Sequence, residues 1–391
     1  MKTEAAVLWG VDEPLEVAEV ELAAPGADEV RVRIEASGVC HSDWNAITGA
    51  SATPLPAVLG HEGSGVVEAV GAAVTTVSPG DTVVLSWLPA CGTCRACQQG
   101  RPSLCEPATR QMAAGSLPGG ESRLWHNGMR LHHYSFLSTF ARHTVVNERS
   151  CIRLPAGTDT DVAALVGCAV TTGIGAVINR AKINPGCSVA VFGAGGVGLS
   201  AIMGARLADA ETIIAVEPVG SRRALALELG ATLALDGTDP AVAQTLLDHT
   251  HGGVDYAFVA AGLASLLGLA FSVARPGGMV VAIGVPPDGS VVSLPGPQLV
   301  RSEKTITGTL YGSARPAIDM PMILRLHAQG RLPLEKLVGR RYPLAEVNEA
   351  FADMLSGTAA RAVLRPWQEG TGKGGNLTWG AAQAGVAREL T

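Results

Sequence analysis

The residues of this 391-residue chain best suited to chemistry are its cysteines and a few histidines, which fall into two patterns. Cys91, Cys94, Cys97 and Cys105 lie close together on one segment, with Gly92 and Pro102 among them. Four thiolates at short intervals let one loop close a tetrahedron around zinc, so this cluster reads as a structural site with no corner left for substrate. Nucleic-acid-binding ribbons use similar loops, but only Arg95 and Arg101 flank this one and no basic stripe accompanies it. The second pattern is dispersed. Cys40-His41-Ser42-Asp43 follows a strand-like run and Gly60-His61-Glu62 precedes another. One thiolate, one imidazole and a second thiolate from elsewhere would leave zinc an open corner, which catalysis on an oxygen substrate requires.

A third motif concerns phosphates. The apolar run 189–192 leads into Gly193-Ala194-Gly195-Gly196-Val197-Gly198 and then into a helix-like segment. Glycines there let the backbone turn tightly beside a pyrophosphate, and the free N–H groups of the helix start attract it. Glu217 ends the next apolar run, where a carboxylate accepts hydrogen bonds from ribose hydroxyls and repels a 2′-phosphate, so NAD is expected over NADP. Arg222 and Arg223 are the nearby residues that would instead welcome that phosphate.

These motifs need elements to position them. Short β-branched runs broken by glycine and proline (30–34, 65–70, 81–85) give the first part the texture of a β-rich domain. From about residue 170, strand-like runs (188–192, 212–216, 254–259, 279–284) alternate with helical patterns (196–208, 221–229), which predicts a parallel sheet covered by helices. Helices are expected at 321–329 and 344–355, and a strand at 361–364 that rejoins the first domain. The chain therefore divides into a discontinuous catalytic domain (1–169 and 311–365), a nucleotide-binding domain (170–310) and a Gly-rich flexible tail (366–391).

Composition narrows the function. A net charge of −6 without long runs of one sign argues against nucleic-acid and anionic-membrane partners and leaves a small molecule. Residues 1–22 mix acidic and apolar side chains and lack a secretory layout, which predicts a cytoplasmic protein. Its eight cysteines are then better metal ligands than disulfides, with Cys151 and Cys187 left as small packed residues. The uncharged stretch 183–205, rich in glycine, reads as a buried strand, a turn and a helix.

Taken together, Cys40-His41-Ser42-Asp43, Gly60-His61-Glu62-(x)2-Gly65, the four-cysteine loop, Gly167-Cys168-Ala169-Val170-Thr171-Thr172-Gly173 and the glycine motif stand in one order. In that order they resemble the zinc-containing medium-chain alcohol dehydrogenases, to about Leu364. The resemblance implies a β-rich GroES-like catalytic domain and a doubly wound parallel-sheet (Rossmann) domain. It implies two zinc ions per subunit, one held by Cys40, His61 and Cys168 and one by the four-cysteine loop. It further implies that Asp43 orients His61, that Glu62 tunes the charge at the metal, and that Ser42 relays the alcohol proton. Many members carry a histidine where this chain has Asn45, so proton release is expected through Ser42, the cofactor ribose and water, or through His41. Thr172 and Val197 would back the nicotinamide, Ile283 and Val285 would bracket its carboxamide, His41 and Arg361 would contact the pyrophosphate, and Trp87 would wall the alcohol pocket.

The function implied is hydride transfer between a primary alcohol or aldehyde and NAD(H), in a homodimer formed around 305–310. A thiol-dependent formaldehyde dehydrogenase and a biosynthetic aldehyde reductase use the same fold. A zinc-independent enone reductase would lack the paired zinc motifs. A non-catalytic zinc or nucleotide binder would contain metal without turnover.

Overall fold

Alternation of buried and half-exposed residues makes Glu29–Gly38 a strand with one packed face, and its neighbour Glu62–Val70 runs antiparallel to it. The computed structural model describes residues 1–357 and 361–370 of the chain. The remainder of the tail anticipated at 366–391, with its helical pattern at 381–390, lies outside the described residues. The described chain folds as two compact units, one of Met1–Cys168, Pro316–Leu324 and the described residues from Leu334 onward, and a second of Ala169–Arg315 and Arg325–Pro333.

The first unit holds two sheets. One orders Cys151–Arg153, Thr82–Leu85, Glu62–Val70, Glu29–Gly38, Val363–Arg365 and Arg341–Pro343, with His143–Asn147 also paired to Glu29–Gly38. The other is built around Lys2–Leu8 and Glu16–Leu22. The closing strand, expected at 361–364, forms at Val363–Arg365 and pairs Val363 with Gly38. A core of Leu8, Trp44, Ile47, Phe140, Tyr342, Phe351 and Leu364 joins the first strand, the short helix His41–Ile47 and the closing segment around the candidate site.

In the second unit, Leu233–Leu235, Thr212–Val216, Ser188–Phe192, Val254–Val259, Ala274–Ala282 and Thr305–Gly308 form one parallel sheet in that spatial order. The order reverses direction beside Ser188–Phe192, which is the switch point where doubly wound sheets bind nucleotides. Stretch 183–205 is indeed a buried strand, a glycine turn and the start of the helix Gly196–Leu207. The helical stretch Thr160–Ala181 has the length and apolarity to cross a membrane, but 83% of its most apolar window is buried inside the protein.

Most expected bounds shift by a few residues, and two elements start five residues earlier than expected. The strand placed at 279–284 runs from Ala274 to Ala282, because Ala274 already pairs with Val254 across a register shift. The helix placed at 321–329 begins at Pro316, which occupies the first turn where an N–H has no intrahelical partner, and Pro321 lies inside it.

Candidate metal centre and nucleotide site

Strand register builds the metal centre. Gly38 pairs with Glu62, so Cys40, two residues past one strand, meets His61, one residue before its antiparallel neighbour. Glycine is required at this crossing, because a Cβ on Gly38 would collide with the Glu62 carboxylate. Leu85 pairs with Gly63 on the other side, and a Cβ on Gly167 would meet the Leu85 carbonyl at 2.9 Å, so the helix carrying Cys168 packs closely over these strand ends. A π-helical turn, Val166–Val170, holds Cys168. The ligand atoms of Cys40, His61, Glu62 and Cys168 lie within 4.8 Å of one another.

Asp43 wires this centre together. Its Oδ1 accepts from His61 Nδ1 at 3.0 Å and from the Gly60 amide at 3.1 Å, while Oδ2 accepts from the Cys40 amide at 3.2 Å. With Nδ1 committed, His61 turns Nε2 toward the sulfurs, and among the described residues that buried nitrogen has no hydrogen-bond partner. A buried lone pair aimed at two thiols is costly unless it is a ligand, so the donor set fits a zinc held by Cys40, His61 and Cys168.

The charge on Cys40 supports this, since zinc takes a thiolate. A hydrogen bond with Cys168, together with the nearby Arg361 and His61, holds the Cys40 thiol well below its ordinary range despite burial. Burial opposes charge on His61, but Asp43 and Cys40 outweigh it and push the imidazole well above its usual value. Burial drives the Glu62 carboxyl up to about 7, against the pull of Arg361. Arg361 is itself buried and paired with Glu62. The residue expected on the pyrophosphate thus sits beside the metal ligands, in an ion pair whose desolvation only close mutual contact offsets.

The four-cysteine loop is more open. Cys91, Cys94, Cys97 and Cys105 also hold their sulfurs within 4.8 Å of one another. Cys91 Sγ accepts from the Thr93 and Cys94 amides, and Cys105 Sγ accepts from the Cys91 amide. Hydrogen bonds from the Thr93 hydroxyl and these amides push the Cys91 thiol down to about 6. Four inward sulfurs fit a second zinc with no free corner.

In the second unit, Gly193 has φ +91 and follows the central strand, and a Cβ on Gly198 would strike the Gly193 carbonyl. A Cβ on Gly195 would meet nothing within 4 Å, so the loop offers open space beside the start of the helix that contains Gly196, Val197 and Gly198. Glu217 is buried, and its two oxygens accept from the Ala194 and Val219 amides at 2.7 and 3.0 Å. Arg223 binds the Glu217 and Pro218 carbonyls and the Asp236 carboxylate. Thr172 and Arg222 lie in the same unit; Ile283 is buried and Val285 is 70% exposed. His41 and Ser42 open the helix His41–Ile47 with exposed side chains, and Trp87 is buried just past Leu85.

Sequence reasoning missed Tyr134. Its ring meets the His61 ring edge-on with centroids 5.7 Å apart, and its hydroxyl donates to the Ser42 carbonyl at 2.7 Å. The only sequence signal was an aromatic after His132-His133 in a long, unassigned segment.

Comparison with known proteins agrees with this architecture. The sequence pattern of the alcohol dehydrogenase GroES-like domain matches residues 26–156, and that of the zinc-binding dehydrogenase family matches residues 196–328. An alcohol dehydrogenase zinc-binding domain protein from Burkholderia ambifaria is 39% identical, with a TM-score of 0.90 over 93% of this chain and 99% of that one. Benzyl alcohol dehydrogenase from Acinetobacter calcoaceticus is 33% identical, with a TM-score of 0.89 over the same shares. A putative zinc-binding dehydrogenase from Sinorhizobium meliloti 1021 bound to NADP is 26% identical, with a TM-score of 0.77 over 94% of this chain and 100% of that one. The two family patterns and the identity to full-length relatives show that this chain belongs to the zinc-containing alcohol dehydrogenases of the medium-chain dehydrogenase/reductase superfamily.

Proposed function

We propose that this dehydrogenase interconverts a primary alcohol and its aldehyde with NAD(H) as the hydride carrier. The observation that carries the reading is the buried, unpartnered Nε2 of His61 facing Cys40 and Cys168. Zinc bound there would supply a Lewis acid for an alcohol or carbonyl oxygen, and NAD(H) would accept or supply hydride. The protein's residues do the rest. Asp43 fixes the His61 tautomer, Arg361 balances Glu62 beside the metal, and the exposed Ser42 hydroxyl carries the alcohol proton toward solvent.

The preference for NAD rests on Glu217, which is held in place by two backbone amides, and on Arg223, which is engaged by carbonyls and Asp236. A 2′-phosphate would meet the carboxylate and find Arg223 occupied. The relative from Acinetobacter, a benzyl alcohol dehydrogenase, favours a primary aromatic alcohol, in keeping with the aromatic Trp87. We further propose a cytoplasmic homodimer, supported by eight cysteines that form no disulfide and by the edge strand Thr305–Gly308.

A panel of primary, secondary, aromatic and allylic alcohols with NAD and with NADP, run beside the matching aldehydes, tests the reading. We expect the highest kcat/KM with a primary alcohol and NAD. A clear advantage for NADP, or turnover of secondary alcohols alone, would overturn it.

A further inference from the structure

Tyr134 begins a loop whose backbone is held in an unfavourable shape. Ser135, Phe136 and Ser138 have φ of 49°, 62° and 52°, the left-handed region, and none is glycine. Each such residue costs about 1–2 kcal/mol, so the surroundings must enforce the conformation. They do so at both ends. The Tyr134 carbonyl accepts from the Leu137 and Ser138 amides, and the Tyr134 amide donates to Ser138 Oγ at 3.1 Å. Beyond the loop, the Thr139 and Phe140 amides donate to the Gly60 and Leu59 carbonyls, directly before His61. The buried Phe136 side chain, 1% exposed, anchors the middle.

The result is a fixed aim for one side chain. The ring packs edge-on against His61, a contact that phenylalanine would make equally well. What phenylalanine lacks is the hydroxyl, which donates to the Ser42 carbonyl at 2.7 Å in the first turn of the helix His41–Ile47. Asp43 already ties Cys40 to His61 on either side of Ser42, whereas the Ser42 hydroxyl meets Cys40 Sγ only at a weak 3.9 Å among the described residues.

We propose that Tyr134 is a positioning residue for the alcohol dehydrogenase reaction: its hydroxyl fixes the backbone of Ser42 and so aims the Ser42 side chain. The proposal rests on the reading that Ser42 passes the alcohol proton. Its job is separate from ligand placement, which Asp43 performs.

The test compares the full-length, zinc-loaded wild type with Tyr134→Phe, Ser42→Ala and the double variant. Hydrogen exchange read on peptides covering 39–47 and 56–66 should quicken in Tyr134→Phe for the first segment and stay unchanged for the second, with zinc content equal to wild type. Tyr134→Phe should lower kcat for alcohol oxidation by about fivefold, the equivalent of one ordinary hydrogen bond, with KM unchanged. In the Ser42→Ala background the same substitution should cost nothing further. Unaltered exchange at 39–47, or an equal loss of kcat in both backgrounds, would overturn the proposal. If the wild type oxidises no alcohol, the functional reading fails, and the exchange comparison alone then decides whether Tyr134 holds Ser42.

Discussion

The two cysteine clusters use the same donor atoms in opposite ways. The four-cysteine loop draws all its sulfurs from one short segment, leaves Cys91, Cys94 and Cys97 partly exposed, and secures the Cys91 and Cys105 sulfurs with local amides. The dispersed centre draws on two strand ends and a helix, buries its donors, and adds Asp43, Glu62 and Arg361 around them. The difference teaches that a closed site needs only a flexible stretch of the right spacing. An open one must be held apart by the fold, because a vacant corner survives only where three ligands cannot collapse into four.

The sharpest way to break this contrast is His61→Ala. Turnover should fall about a thousandfold or more, with zinc in the other cluster and NAD binding both retained. Metal analysis and cofactor titration beside steady-state kinetics check this, and surviving turnover would mean that the dispersed centre is no different in kind. Cys97→Ser should do the reverse, lowering unfolding stability by about 3 kcal/mol or more in denaturant melts while kcat per folded molecule stays within about threefold. Asp43→Asn should weaken metal binding at the dispersed centre about 10- to 100-fold, measured by competition with a chelating dye, and leave the four-cysteine loop unaffected.

The smallest effect at neutral pH concerns His133, which neighbours Tyr134. Burial, helped by Arg130, Arg123 and His132, lowers its imidazole to about 3. The native state keeps it neutral while the unfolded chain protonates it near 6.5, so the unfolded state binds the extra proton between those values. Stability is therefore full above pH 6.5 and declines as pH falls toward 3, by at most about 4–5 kcal/mol over the whole window. His133→Gln should flatten that acid slope in melts between pH 7 and 4; an unchanged slope would assign the loss to other groups.

Much of the fold could be read from residue order, and the reasons are local. Ser188–Phe192, Thr212–Val216 and Val254–Val259 are predominantly apolar runs of strand length without glycine or proline, and their bounds match the reading residue for residue. Ala274–Ala282 was only half visible, since Pro276, Gly277 and Gly278 interrupt it and only pairing with Val254–Val259 makes it a strand. At the site, Cys40 and His61 stand in compact motifs, whereas Cys168 was assigned through family likeness and reaches them by the packing of Gly167 on Leu85. The Arg361–Glu62 pair joins positions about 300 residues apart in sequence, which no short motif encodes. Tyr134 was invisible for a different reason. Its aim depends on left-handed Ser135, Phe136 and Ser138, residue types that advertise no such turn.

Arg361 and the strand that follows it also set an order of events. During synthesis, the strand Glu29–Gly38 and the carboxylate of Glu62 emerge early, yet Val363 and the guanidinium of Arg361 reach them only after the entire parallel-sheet unit has been made. Until then one sheet edge near Gly38 is open and a carboxylate lacks its countercharge, so the first half of the chain cannot complete its own sheet before the last strand arrives.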